Sequence, residues 1–190
     1  ACAAVLAARA LPTAPRRVVV VLHGLGRTRR SMKGLADALA AAGHAPVRLD
    51  YPSTRRGLAA HVAQLLEVLA HLPGAREVDF VTHSLGGIVV RGALASPRWP
   101  AALVPRRLVM LAPPNRGAAL ARLLTTQVPG LFRALMGPSG HELAGGVPYP
   151  PPPIPFFVVA AGQNGGRGRN PALPGDDDGV VAVEETRLEG

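Results

Sequence analysis

Val78-Asp79-Phe80-Val81-Thr82-His83-Ser84-Leu85-Gly86-Gly87-Ile88-Val89-Val90-Arg91-Gly92-Ala93-Leu94-Ala95 passes from one periodicity to another without a linker. Val78 to Thr82 reads as a short strand and Gly87 to Ala95 as a helix, so His83-Ser84-Leu85-Gly86 sits on the turn between them. The same alternation extends in both directions. Strands are predicted near 17–22, 45–50, 77–82, 106–112 and 156–161, from short β-branched runs such as Val18 to Leu22. Between them, Ser31 to Ala42 reads as a helix with Ser31 as its cap and Gly43 as its stop. Residues 57–72 form another, because Leu58, Val62, Leu65, Leu66 and Leu69 recur at three- and four-residue spacing and Pro73-Gly74 closes it. Strands apolar on both faces, alternating with helices, predict a mostly parallel sheet with helices on both sides. In such three-layer α/β domains ligands gather at the carboxyl ends of the strands.

The chemistry expected at Ser84 follows from its place. A serine hydroxyl is a poor nucleophile at neutral pH unless it is exposed and has a base beside it. A strand-to-helix turn exposes it, and the helix amino terminus offers unpaired N–H groups to a developing oxyanion. Such a turn needs small flanks, and Gly86 meets that demand. Acyl transfer asks for two backbone N–H groups aimed at the tetrahedral oxygen. Leu85 supplies one. The second is expected from Leu25, in the glycine turn His23-Gly24-Leu25-Gly26 after the first strand. A phosphate-binding loop is the competing use of that turn, but no Gly-Lys-Ser/Thr follows.

With His23-Gly24-Leu25-Gly26, Thr82-His83-Ser84-Leu85-Gly86-Gly87 and Leu111-Ala112-Pro113-Pro114-Asn115-Arg116-Gly117, the chain resembles bacterial lipases and related esterases of the α/β-hydrolase superfamily. The resemblance runs from about residue 17 to the end. Thr82 departs from it, standing where the usual pattern has glycine. Gly175-Asp176-Asp177-Asp178-Gly179-Val180-Val181 is similar to the acid loop of that group. The resemblance makes Asp178, immediately before the glycine, the triad acid, with Asp177 as the alternative. It also implies a histidine after the acid, and none follows Asp178. Of the six histidines, His23 and His83 are expected to brace their loops, and His44, His61 and His71 belong to helices or their ends. His141 is the one that follows the nucleophile and is free to swing in. The expectation is that a last strand and a histidine loop lie beyond this chain. Ser84, Leu25 and Asp178 should meet around one cleft.

Composition sets the remaining bounds. Hydrophobic residues are 48% and charged residues 17% of 190, as in a globular chain, here read as one domain over 1–190. The net charge is +9, and Lys33 is the one lysine among 21 basic residues. The arginine doublets, such as Arg29-Arg30 and Arg55-Arg56, form no stripe interleaved with aromatics, which argues against nucleic acid. They read as solvated ends of elements, or as attraction to anionic lipid or an acidic substrate. No stretch approaches the ~20 apolar residues that span a bilayer. Cys2 alone makes neither an intrachain disulfide nor a metal cluster, and does not separate cytosol from an exported location. No cofactor or metal is expected. Residues 1–11 read as a short amphipathic helix ahead of the domain rather than the tail of an export signal, because Arg9 interrupts them. The apolar segment 118–147 is either an ordinary crossover or a cap over the site, and Pro148 to Pro155 is a rigid connector.

The leading reading is cleavage of a small-molecule or lipid ester through Ser84, with peripheral lipid contact and no membrane span. Thioester or amide cleavage would use the same machinery. A second reading is a binding or scaffold protein of the same fold that lacks a base. A third is a merely structural serine in an ordinary doubly wound domain.

Overall fold

The computed structural model describes residues 16–163, 166–173 and 175–189. The predicted leading helix at 1–11, and Cys2 with it, lie outside the described residues. Five strands form one sheet: β1 (Arg17–Leu22), β2 (Pro46–Leu49), β3 (Glu77–His83), β4 (Val104–Leu111) and β5 (Phe156–Val159). Their order is β2-β1-β3-β4-β5, and every neighbouring pair is parallel. The helices are α1 (Lys33–Ala41), α2 (Leu58–Ala70), α3 (Leu85–Leu94), α4 (Ala119–Gln127) and α5 (Pro129–Ala144). This is the parallel α/β architecture expected from the sequence, with all five strands near their predicted places.

Alternation along the strands sorts the core into two layers. Val18, Val20, Leu22, Phe80, Leu108 and Met110 point to one face and pack with Leu58, Leu65 and Leu69 of α2 and Ile88, Val89 and Ala93 of α3. Val19 and Val21 point to the other, against Met32 and against Leu35 and Leu39 of α1. Helices therefore lie on both faces, but coverage is uneven. On the α1 face, Phe157 and Val159 of the edge strand β5 are 63% and 51% exposed. The prediction of strands buried on both faces holds for β1 and not for β5, because α1 packs over the β1 side of the sheet.

Two predicted helix starts shift. Ser31 is not a cap: it lies within a 3-10 turn, Arg29–Met32, whose cap is Thr28, and α1 follows it. The third helix begins at Leu85 rather than Gly87, directly after Ser84.

Two carboxylates from distant segments complete helix ends that lack local caps. Gly57 offers α2 no side chain, and Glu142 Oε2 of α5 accepts the Leu58 N–H at 2.6 Å. Glu185, 7% exposed, accepts the Ala119 N–H at the start of α4 and pairs with Arg122 at 3.3 Å. A carboxylate against free amides and the positive end of a helix contributes on the order of 1 kcal/mol. Together they tie the 119–144 segment to α2 and to residues 182–186. α5 is two helices joined at Gly137 (φ 64°, ψ −166°). Its second half is fixed by the Ser139 hydroxyl, which donates to Arg56 O at 2.8 Å. Its first half presents Leu131 and Leu135 to solvent.

The rigid connector predicted at 148–155 has a buried anchor. Arg91 of α3, 3% exposed, donates to the carbonyls of Tyr149 and of Pro150 (3.1 Å) and to Asn115 Oδ1 (3.0 Å). Asn115 passes the connection on, donating to Thr186 O at 2.8 Å. All of the Arg91 acceptors are uncharged. Burial pushes the guanidinium down to about 10, so it stays charged at neutral pH.

Candidate active site

β3 stops at His83, and the chain turns into α3 through Ser84, whose backbone has φ 50° and ψ −121°. That region is strained for any residue with a Cβ. The surroundings hold it there. Ser84 N–H donates to Leu111 O of β4 at 2.8 Å, and Gly86 packs so closely on β1 that a Cβ would lie 2.9 Å from both His23 O and Leu22 Cβ. Gly24 is equally constrained, since a Cβ there would stand 2.7 Å from His83 Nδ1. Thr82 fits in place of the usual glycine for a visible reason. It is fully buried, its hydroxyl donates to Val109 O at 3.2 Å, and the neighbouring helix position is Gly87, where a Cβ would sit 3.2 Å from Thr82 Oγ1.

The glycine turn after β1 is braced from behind. His23 is buried between two oxygens, with Nδ1 2.9 Å from Gly24 O and Nε2 3.0 Å from Asp50 Oδ1. Tyr51 stacks on the His23 ring, centroids 4.3 Å apart, and its hydroxyl donates to His23 O at 2.6 Å. Asp50 and Tyr51 were not singled out from the sequence. Their signal was positional, because they directly follow β2 at the carboxyl edge where ligand-facing residues belong.

Leu25, His83, Ser84 and Asp178 line one cleft of about 520 Å³, as expected of the carboxyl edge of the sheet. Its remaining wall is apolar and comes largely from α4 and α5, through Leu120, Leu124, Phe132, Met136 and Leu143. The 119–144 segment thus lies over the cleft. Among the described residues, the N–H groups of Leu25 and Leu85 donate to no protein acceptor. Asp178 Oδ1 accepts from the N–H groups of Val180 and Val181 at 2.9 and 2.8 Å, which fixes the carboxylate on the cleft side of its loop. Asp177 turns away. It is fully buried, and its Oδ1 accepts from Asn170 N (3.0 Å) and Gly179 N (2.6 Å) within the loop. His141 is exposed on α5 and is not part of the cleft wall. Among the described residues no cluster of three or more His, Cys, Asp or Glu is arranged to hold a metal ion.

Burial holds the His83 imidazole below its ordinary range. Asp178 opposes that shift, and Arg27 and His23 reinforce it. His61, edge-on to Tyr51 at 4.9 Å, is 1% exposed with neither ring nitrogen hydrogen-bonded. Burial lowers its affinity for a proton as well, partly offset by the nearby Arg56 and Ser53 carbonyls and the charge of Glu142, while Arg56's charge adds to the lowering. The folded protein therefore binds a proton at His61 less readily than the unfolded chain, whose imidazole titrates near 6.5. Stability is complete above that pH and falls as pH drops below it, because the unfolded state gains the proton first. His61→Phe should lessen the drop in thermal midpoint between pH 7 and pH 5. An unchanged pH slope would show that His61 takes up its proton as readily in the folded protein as in the unfolded chain.

The profile of the alpha/beta hydrolase family matches residues 19–185, from β1 through the acid loop. The chain belongs to the alpha/beta hydrolase family. Solved structures agree on the fold. The mature lipase BlEst2 of Bacillus licheniformis is 22% identical, with a TM-score of 0.63 over 93% of this chain. The metagenomic carboxyl esterase MGS0156 is 21% identical, with a TM-score of 0.63 over 93%. The phospholipase PlaB of Legionella pneumophila, solved in complex with thio-NAD, is 19% identical, with a TM-score of 0.59 over 90%. This alpha/beta hydrolase chain spans 80% of the mature lipase, 61% of the esterase and 44% of the phospholipase. A search of curated proteins returned no match. No helix among the described residues is long and apolar enough to cross a membrane.

Proposed function

We propose that this alpha/beta hydrolase cleaves carboxylic esters through an acyl-enzyme on Ser84. The observation that carries the reading is the strained Ser84 backbone at the strand–helix junction, lining a cleft shared with Leu25 and Asp178. Ser84 Oγ attacks the ester carbonyl and gives up its proton to a base. The N–H groups of Leu25 and Leu85 take the negative oxygen of the tetrahedral intermediate, the alcohol departs, and water then releases the acid. Asp178 is the triad carboxylate in this reading, the group whose role is to orient an imidazole base. The apolar lining from α4 and α5 suits a hydrocarbon acyl group, and Val128, Leu131 and Leu135, exposed on the same segment, suit peripheral contact with lipid.

A second reading is a binding protein of this fold without turnover. A fluorophosphonate probe with peptide mapping separates the two. Covalent labelling at Ser84, absent from Ser84→Ala, is the expected result. An unlabelled serine in protein that binds hydrophobic esters would favour the second reading.

A further inference from the structure

A second cavity of about 500 Å³ opens beside the cleft, and the two share the Gly26–Arg27 rim. Its character is opposite to that of the cleft. Where the cleft is walled by leucine, phenylalanine and methionine, the groove is walled by Arg27, Thr28, Ser53, Thr54 and Arg55 over a floor of Asp50 and Tyr51. We propose that this groove is a subsite for a phosphate group, carried on the same molecule whose hydrocarbon part fills the cleft. The inference names a substrate class for the proposed ester hydrolase, an anionic amphiphile, and rests on that reading.

The hydrogen-bond inventory supports it. Ser53, 4% exposed, accepts the Gly26 N–H at 3.1 Å, and Thr28 accepts the Arg30 N–H at 3.4 Å. Each hydroxyl is thus used as an acceptor and keeps its own O–H to donate. A few arginines pair with carboxylates, as Arg17 does with Asp79 and Arg116 with Glu184. Among the described residues, Arg27 and Arg55 have no such partner. The one acid in the groove, Asp50, has its Oδ1 contacted by His23 Nε2 (3.0 Å) and the Arg29 N–H (3.2 Å), and its side chain is half exposed, so the arginines must outweigh it. Two guanidinium groups and two free O–H donors form a donor-rich wall, which an acceptor-only phosphate matches and a neutral alcohol does not.

The test is binding of full-chain protein to monomeric dodecyl phosphate, 1-dodecanol and inorganic phosphate, by calorimetry at low and high salt. Dodecyl phosphate should bind roughly tenfold more tightly than dodecanol, with inorganic phosphate weaker than either. The preference should shrink with salt and disappear in the double variant Arg27→Gln, Arg55→Gln. Both side chains are exposed and unpaired, so the variant keeps its fold; Arg55→Gln alone should lose part of the preference. Equal affinity for the phosphate and the alcohol, or a preference that survives the double variant, overturns the inference. So does tight binding to phosphatidylglycerol vesicles with none to the monomer, which would place the basic loop on a membrane surface. Ser84 labelling is scored separately. Labelling without the phosphate preference leaves the hydrolase reading standing and removes the subsite, whereas the preference without labelling does the reverse.

Discussion

Ser84→Ala and Ser84→Gly are expected to affect activity alike and stability differently. Removing the hydroxyl takes away the attacking atom, so hydrolysis of a p-nitrophenyl ester by the full-length protein should fall by more than ~10³-fold in either variant. The backbone accounts for the divergence. At φ 50° and ψ −121° a Cβ is strained, and such positions cost of order 1–3 kcal/mol. Alanine keeps the strain. Glycine relieves it, at an entropic cost of about 0.5–1 kcal/mol in the unfolded chain. Ser84→Gly should therefore be about 1 kcal/mol more stable than the wild type in chemical denaturation, with Ser84→Ala close to it. A glycine variant less stable than the wild type would mean that no strain is stored there. Hydrolysis surviving in the alanine variant would remove Ser84 from the mechanism.

The largest loss of stability is expected at Arg91. Its guanidinium is the shared donor for Asn115 Oδ1 and for the carbonyls of Tyr149 and Pro150. Methionine matches its length but donates nothing, which strands acceptors around a buried position. Breaking such a buried charged network costs about 3–5 kcal/mol. Since domains of this size are stable by roughly 5–15 kcal/mol, Arg91→Met should unfold at a much lower denaturant concentration. Arg91→Lys keeps the charge without the planar fork and should recover part of the loss. An Arg91→Met midpoint close to the wild type would show that water or a shifted connector satisfies the carbonyls.

The parallel sheet was legible because its strands are short β-branched runs and its glycine turns fall where strands end. Val18 to Leu22 and Val78 to Thr82 needed nothing beyond alternation and flanking residues. The convergence of Leu25, Ser84 and Asp178 on one cleft followed from the same rule, since loops after parallel strands share an edge. What was illegible depends on distant partners. Ser31 looked like a cap because it precedes an apolar run, yet Thr28 three residues earlier starts a 3-10 turn that local propensity does not distinguish. The caps of α2 and α4 come from Glu142 and Glu185, far along the chain, so no window of sequence contains both helix and cap. Tyr51 carries no motif, and only the three-dimensional stack on His23 shows its work. The even apolar character of β5 suggested burial on both sides, but α1 covers only the β1 side of that face.

The Arg91 anchor also constrains the order of events during synthesis. Arg91 is separated from Asn115 by 24 residues and from Tyr149 and Pro150 by 58 and 59, and Asn115 from Thr186 by 71. Until those later residues leave the ribosome, α3 carries a cation that its helix must bury and that nothing yet receives. A nascent chain ending before residue 150 thus has a strong reason not to close its core over α3. Contacts of such long sequence separation also form slowly. The half-made protein should accordingly remain open, and vulnerable to proteases and to chaperone capture, until most of the chain has emerged.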